Sequence, residues 1–227
     1  MLTAYLDESF QTGDGYVVMA GFLGNQRSWS QLTSEWKIAL HPKTALHMNK
    51  LRWPKGRDRH KLMLEKLGAV PRGCGLRPVF ASVRIADYRS QLKRPDGVLS
   101  NGYFVTLVAL TQAMLKSLPK GERLKLVVET QVEYAQAREA AISVLQKEPE
   151  YRYRGRPMLT GCESSQKCTL LEPSDYLAYA ILQWLIDKDS IRARNCAPIL
   201  RGEKRLGGML SAREVKRILT FKKGVPI

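Results

Sequence analysis

The chain is 227 residues long, 44% hydrophobic and 26% charged, which suits one large domain with a core of its own and excludes a disordered or fibrous chain. No apolar run approaches the roughly 20 residues that a membrane helix needs, and the start, MLTAYLDES, has no basic stretch followed by an apolar one, so neither a membrane span nor a signal peptide is expected. The 37 Lys and Arg against 21 acids give a net charge of +16, a field that attracts polyanions, of which nucleic acid is the commonest inside a cell.

Residues 2–8 alternate and read as a first strand. The turn FQTGDG (10–15) contains Asp14-Gly15, a hairpin signal, and YVVMAGFLG (16–24) reads as its antiparallel partner. Trp29, Leu32, Trp36 and Leu40 recur at helical spacing, and Pro42 ends that helix. A loop over 43–57 leads to a basic helix at about 58–69 with Leu62, Leu64 and Leu67 as apolar positions, and Pro71, Gly73 and Gly75 make a turn. A third strand is expected at 76–86, an apolar helix at 101–117, a short buried strand at 124–130 and a helix at 132–147. A strand near 158–163 follows. The helix 173–187 has Pro173 in its first turn and Leu177, Ala180, Ile181, Trp184 and Leu185 as its stripe. Residues 188–210 read as a flexible basic join. Ser211 and Glu214 are spaced as a capping box for a last helix.

This order gives an α/β fold: a mixed sheet, made of an antiparallel three-stranded meander plus parallel strands, flanked by helices. We expect one α/β domain over 1–190 and a basic C-terminal extension over 191–227 with a short helix. Ten Lys and Arg and two acids lie from Arg192 onward.

The cysteines at 74, 162, 168 and 196 form no CxxC pair, and histidines 41, 47 and 60 complete no zinc pattern. Reduced thiols in a cytoplasmic protein are the expectation.

Three acids stand where a run of apolar residues stops. Asp7 lies on the first strand, where a carboxylate is disfavoured and costly to bury unless paired or bound to metal. Glu129 ends the strand LKLVV. Asp175 sits in the first turn of an apolar helix, where the helix dipole alone would account for it. Open sheets place ligands at the carboxyl ends of their strands. If the first and fourth strands are neighbours, Asp7 and Glu129 lie side by side, and the helix brings Asp175 to them. Clustered carboxylates repel unless a cation neutralises them, and hard oxygen ligands select Mg2+ or Mn2+.

The opening YLDES, the strand AGFLG and the closing LEPSDYLAYAI resemble the family called domain of unknown function 3800, over about residues 2–187 in order of elements. The resemblance implies a ribonuclease H-like fold, with Asp7 as the first-strand metal ligand, Glu129 as the fourth-strand acid and Asp175 as the final-helix acid. The chain departs from that pattern twice. Its segment after the second strand reads Leu46-His47-Met48-Asn49-Lys50, with a histidine and no carboxylate, and the helix at 101–117 has no acid. A fourth ligand is therefore sought among Glu8, His47 and Glu163. Strand alternation points Glu8 to the opposite face, which counts against it.

The leading expectation is a metal-dependent nuclease: one or two Mg2+ or Mn2+ ions held by Asp7, Glu129 and Asp175, about 4 Å apart if there are two. Lys50, Arg52, Lys55, Arg57, Arg192, Arg194, Lys204 and Arg205 would contact backbone phosphates without reading sequence. The rivals are a nucleic-acid-binding module with a degenerate site, and a regulatory subunit with a protein partner in a phage-defence or mobile-element system.

Overall fold

In the computed structural model the described residues are 1–11, 13–51, 60–92, 102–119, 121–129, 131–147, 158–162, 168–201 and 205–220. Strands β1 (Leu2–Phe10) and β2 (Tyr16–Gly24) form the expected hairpin. Helix α1 (Gln26–Leu40) follows, capped by Asn25, whose side chain accepts from the Ser28 amide. A 3-10 turn (Met48–Lys50), α2 (Lys61–Gly73), β3 (Arg77–Arg84), α3 (Ile85–Arg89) and α4 (Tyr103–Ser117) come next. Then β4 (Leu124–Glu129) leads through a 3-10 turn (Val132–Tyr134) into α5 (Ala135–Lys147), β5 (Met158–Cys162) and α6 (Glu172–Ile186). The last elements among the described residues are α7 (Ile191–Leu200), β6 (Leu206–Met209) and α8 (Ala212–Thr220).

The six strands lie in the order β5-β4-β1-β2-β3-β6. The β1-β2 and β2-β3 pairs are antiparallel; β1-β4, β4-β5 and β3-β6 are parallel. This is the expected α/β architecture, a meander extended by parallel strands and flanked by helices, consistent with a ribonuclease H-like arrangement. Among the described residues no helix is long and apolar enough to cross a membrane.

Period-2 alternation divides the sheet's side chains between two cores. Ala4, Leu6, Val17, Met19, Leu126 and Val128 face α4, α5 and α8. Val18, Ala20 and Phe22 face α1, α2, α6 and α7. Both faces are covered, so β2 is buried almost throughout and no residue of β1 or β4 is exposed. Trp29 and Trp36 are core residues of the second face. Trp29 also donates from Nε1 to the Thr3 carbonyl at 3.0 Å and meets Tyr5 edge-on at 4.5 Å, which ties α1 to the start of β1. Gly21 on β2 comes so close to β1 that an added Cβ would stand 1.8 Å from the Tyr5 carbonyl oxygen.

Four readings change. Pro71 lies within α2, which runs on to Gly73 rather than stopping before the proline. Leu62 and Trp184 are exposed, so neither belongs to its helix's apolar stripe. The join at 188–210 contains α7 and β6. Helix α7 is capped by Ser190 and buries Cys196 and Ile199 against α2 and α6, and β6 adds a parallel strand to β3. Finally α8 buries Val215 and Ile218 in the first core. Thus α7 and α8, which fall in the stretch 191–227 read as an extension, pack on opposite faces of the same sheet. The capping box holds: Ser211 Oγ donates to Glu214 Oε2 at 2.7 Å and accepts from the Glu214 amide at 3.3 Å.

Candidate metal centre

Parallel pairing of β1 with β4, through Leu6 and Val128, carries both strands to the same end of the sheet and sets Asp7 beside Glu129. Helix α6 crosses β1 and β2, and Ser174 Oγ in its first turn donates to the Tyr5 carbonyl at 2.8 Å. That bond places the amino end of α6, and with it Asp175, over the two strand acids. Asp7 and Glu129 therefore meet, and Asp175, outside their tight group, is near enough for its charge to raise the Asp7 carboxyl.

Glu8 joins them. Its neighbours Leu6 and Phe10 belong to the first core, so its backbone direction is the one alternation requires. Glu8 lies near the end of β1. One carboxylate oxygen from each of Asp7, Glu8 and Glu129 falls within 4.8 Å of the others. The expectation that Glu8 stands away from the cluster is thus corrected. Both Glu8 carboxylate oxygens are buried and lack a hydrogen-bond partner among the described residues. Asp7 Oδ1 is better provided, accepting from the Glu8 amide at 2.9 Å.

Electrostatics follow from this crowding. Asp7 is only 4% exposed. Burial, then the charges of Glu8, Asp175 and Glu129, hold its carboxyl well above the usual range. Burial and Glu129 push Glu8 up to about 8. Asp175 rises to about 6, chiefly by burial, with the Met48 amide opposing the shift. A buried anionic group of this kind is costly unless a cation or a proton balances it.

The segment after α1 is held to α6 by two carboxylates. Glu172 Oε2 accepts from Trp36 Nε1 at 2.8 Å and from the Leu46 amide at 3.1 Å, and Asp175 Oδ2 accepts from the Met48 amide at 3.0 Å. His47 lies between those amides, its Nδ1 3.8 Å from Asp175 Oδ2. Burial and the neighbouring Lys50 lower the imidazole's pKa, so at neutral pH this is a contact of a neutral ring rather than a salt bridge. Glu172, 2% exposed, was not singled out in the sequence. Its only signal there was a second acid in the first turn of an apolar helix.

A cleft of about 550 Å3 opens at Glu8. Among the expected phosphate contacts, Arg192 lines this cleft and Lys50 lines a shallower one beside His47. Arg194 Nη1 instead donates to the Asp189 carbonyl at 2.7 Å. Arg205, bonded to the Leu200 carbonyl, precedes the Leu206-Val79 pair. That pair is level with Leu6 through Gly21, but its Leu206 lies on the edge strand, three strands across the sheet from β1. Arg52, Lys55, Arg57, Glu163 and Lys204 lie outside the described residues.

The donor set is all oxygen, with histidine at its margin, and suits a hard divalent cation such as Mg2+ or Mn2+ better than zinc. Compared with known proteins, the chain matches no family model, no curated protein and no solved structure.

Proposed function

We propose that the protein is a divalent-metal-dependent phosphodiesterase acting on nucleic acid. The observation that carries this reading is the meeting of Asp7, Glu8 and Glu129 within 4.8 Å, with both Glu8 oxygens lacking donors among the described residues. The segments supplying three of the four acids, YLDES and EPSDYLAYAI, are those that resemble domain of unknown function 3800. Asp7, Glu8, Glu129 and Asp175 would hold one or two Mg2+ or Mn2+ ions. A metal bound there supplies Lewis acidity and lowers the pKa of a water. Neutral His47, against Asp175, is placed to orient that water or a phosphate oxygen. The net charge of +16 favours a polyanionic substrate.

The test is a Mn2+ titration of wild type and Asp7→Asn, following thermal stability and cleavage of single-stranded, duplex and hybrid substrates. Stabilisation and products in wild type alone support the reading. Full activity in Asp7→Asn sinks it.

One observation favours the binding-module alternative: α4, which packs beside this site through Tyr103, brings no carboxylate to it. That alternative expects salt-dependent nucleic-acid binding, insensitive to EDTA, and no product. A protein partner within a defence or mobile-element system belongs to the regulatory alternative.

A further inference from the structure

The two clefts beside the acids differ in chemistry, and the difference bears on the form of nucleic acid. This inference rests on the nucleic-acid reading above. The first cleft, about 550 Å3, falls in the size range of pockets that take small ligands or single nucleotides. Glu8, 91% buried by its 9% exposure and with both oxygens lacking donors among the described residues, forms part of its wall. Much of the remaining wall is amide: Gln11, Asn49, Gln131 and Gln183. Each amide both donates and accepts, as the edge of a nucleobase does. Phe10 and Tyr134 supply aromatic surface, their rings 5.2 Å apart. Arg192 is the one cation of this lining among the described residues.

The second cleft is lined by Lys43, His47 and Lys50 together with Ala45 and Leu51. Lys43 and Lys50 are exposed and form no ion pair among the described residues. It is a wall for phosphates. The Met48–Lys50 turn stands between the two clefts.

We propose that the protein takes a single strand, one unpaired base entering the amide cleft and the adjoining phosphates running past His47 onto Lys43 and Lys50. In a duplex the Watson–Crick edges are already paired and the stacked bases leave no room for one to enter, whereas an unpaired base offers both its edge and its face. The recessed acids agree with this, since an isolated strand can bend a phosphate down to them.

The test is fluorescence anisotropy in EDTA, so that binding is read without turnover. It uses a labelled 12-nucleotide single-stranded DNA and the blunt duplex of the same sequence. Wild type is expected to bind the single strand at least about tenfold more tightly. An Asn49→Ala, Gln183→Ala double variant loses that preference, with thermal unfolding as the control for folding. A Lys43→Gln, Lys50→Gln variant binds both forms more weakly and keeps the preference, with a salt slope lowered by about 1 to 2. Equal binding of duplex and single strand by wild type, no binding of either, or a preference untouched in a folded Asn49→Ala, Gln183→Ala variant overturns the proposal. Single-strand preference without products in Mn2+ would remove the hydrolase reading alone.

Discussion

Glu172 and Asp175 stand one helical turn apart on α6 and accept alternate amides, Leu46 and Met48, of one extended segment. Only Asp175 also belongs to the acid cluster. Glu172 does structural work: it fixes the segment that carries His47, and it satisfies the indole of Trp36 in the core.

The first prediction separates these roles. Glu172→Ala leaves a buried indole N–H and a buried amide without an acceptor, so it should cost about 2 to 4 kcal/mol of stability. Denaturant unfolding checks it. Glu172→Gln, which keeps one acceptor oxygen, should recover part of that loss. Equal, negligible losses in both variants would show that the segment is held by other contacts.

Asp7→Asn should act oppositely on stability. It removes one negative charge from a cluster in which Glu8, Asp175 and Glu129 all raise the Asp7 pKa, and it keeps an oxygen for the Glu8 amide. The metal-free variant should melt at a higher temperature than metal-free wild type and gain little from Mn2+. Calorimetric scans with EDTA and with Mn2+ test both halves. A lower melting temperature in EDTA would mean that the carboxylate is paired rather than crowded.

The pH dependence has a definite sign. Asp175 rises to about 6 and Glu8 to about 8, both above the unfolded values near 4. Between pH 4 and 8 the folded state therefore holds more protons than the unfolded one, and stability falls as pH rises through that window. Saturating Mg2+ or Mn2+ should flatten the slope, because the ion displaces those protons. Urea midpoints at pH 5, 6, 7 and 8, with and without metal, measure it. A metal-free midpoint that climbs across this range would contradict the buried, crowded state of these carboxyls.

Gly21→Ala should cost more than about 2 kcal/mol, because its Cβ would fall on the Tyr5 carbonyl at 1.8 Å. That carbonyl also accepts from Ser174 Oγ, so the damage should reach α6 and with it metal affinity. Mn2+ binding at a temperature where the variant stays folded reads this out.

Alternation, helical spacing, short apolar runs and turn residues were enough to find β1 to β5 and most helices. Asp7, Glu129 and Asp175 could be read because each interrupts an apolar run. Glu8 could not: alternation assigns its backbone direction, yet its carboxylate comes within 4.8 Å of those of Asp7 and Glu129. Glu172 was hidden because its partner Trp36 is 136 residues away. Helix α7 mixes Arg192, Arg194, Asn195 and Pro198 into ten residues, and its stripe is faint. Strand β6 is Leu-Gly-Gly-Met, with little strand propensity; its pairing with β3 makes it a strand. Gly207, at φ +96°, fits there because a Cβ would meet the Phe80 carbonyl oxygen.

The strand made first lies inside the sheet, with β2 on one side and β4 on the other. The hairpin with β2 can close as soon as both strands are made, because they are consecutive. The other edge of β1 waits for the Leu2-Leu124 register, and the helix that completes the acid cluster is made later still. During synthesis β1 therefore has one open, largely apolar edge. Such an edge invites pairing with another nascent chain, and closing it demands a long loop, which slows folding. Recombinant yield should thus depend on translation rate and on chaperone supply more than the stability of the finished fold would suggest.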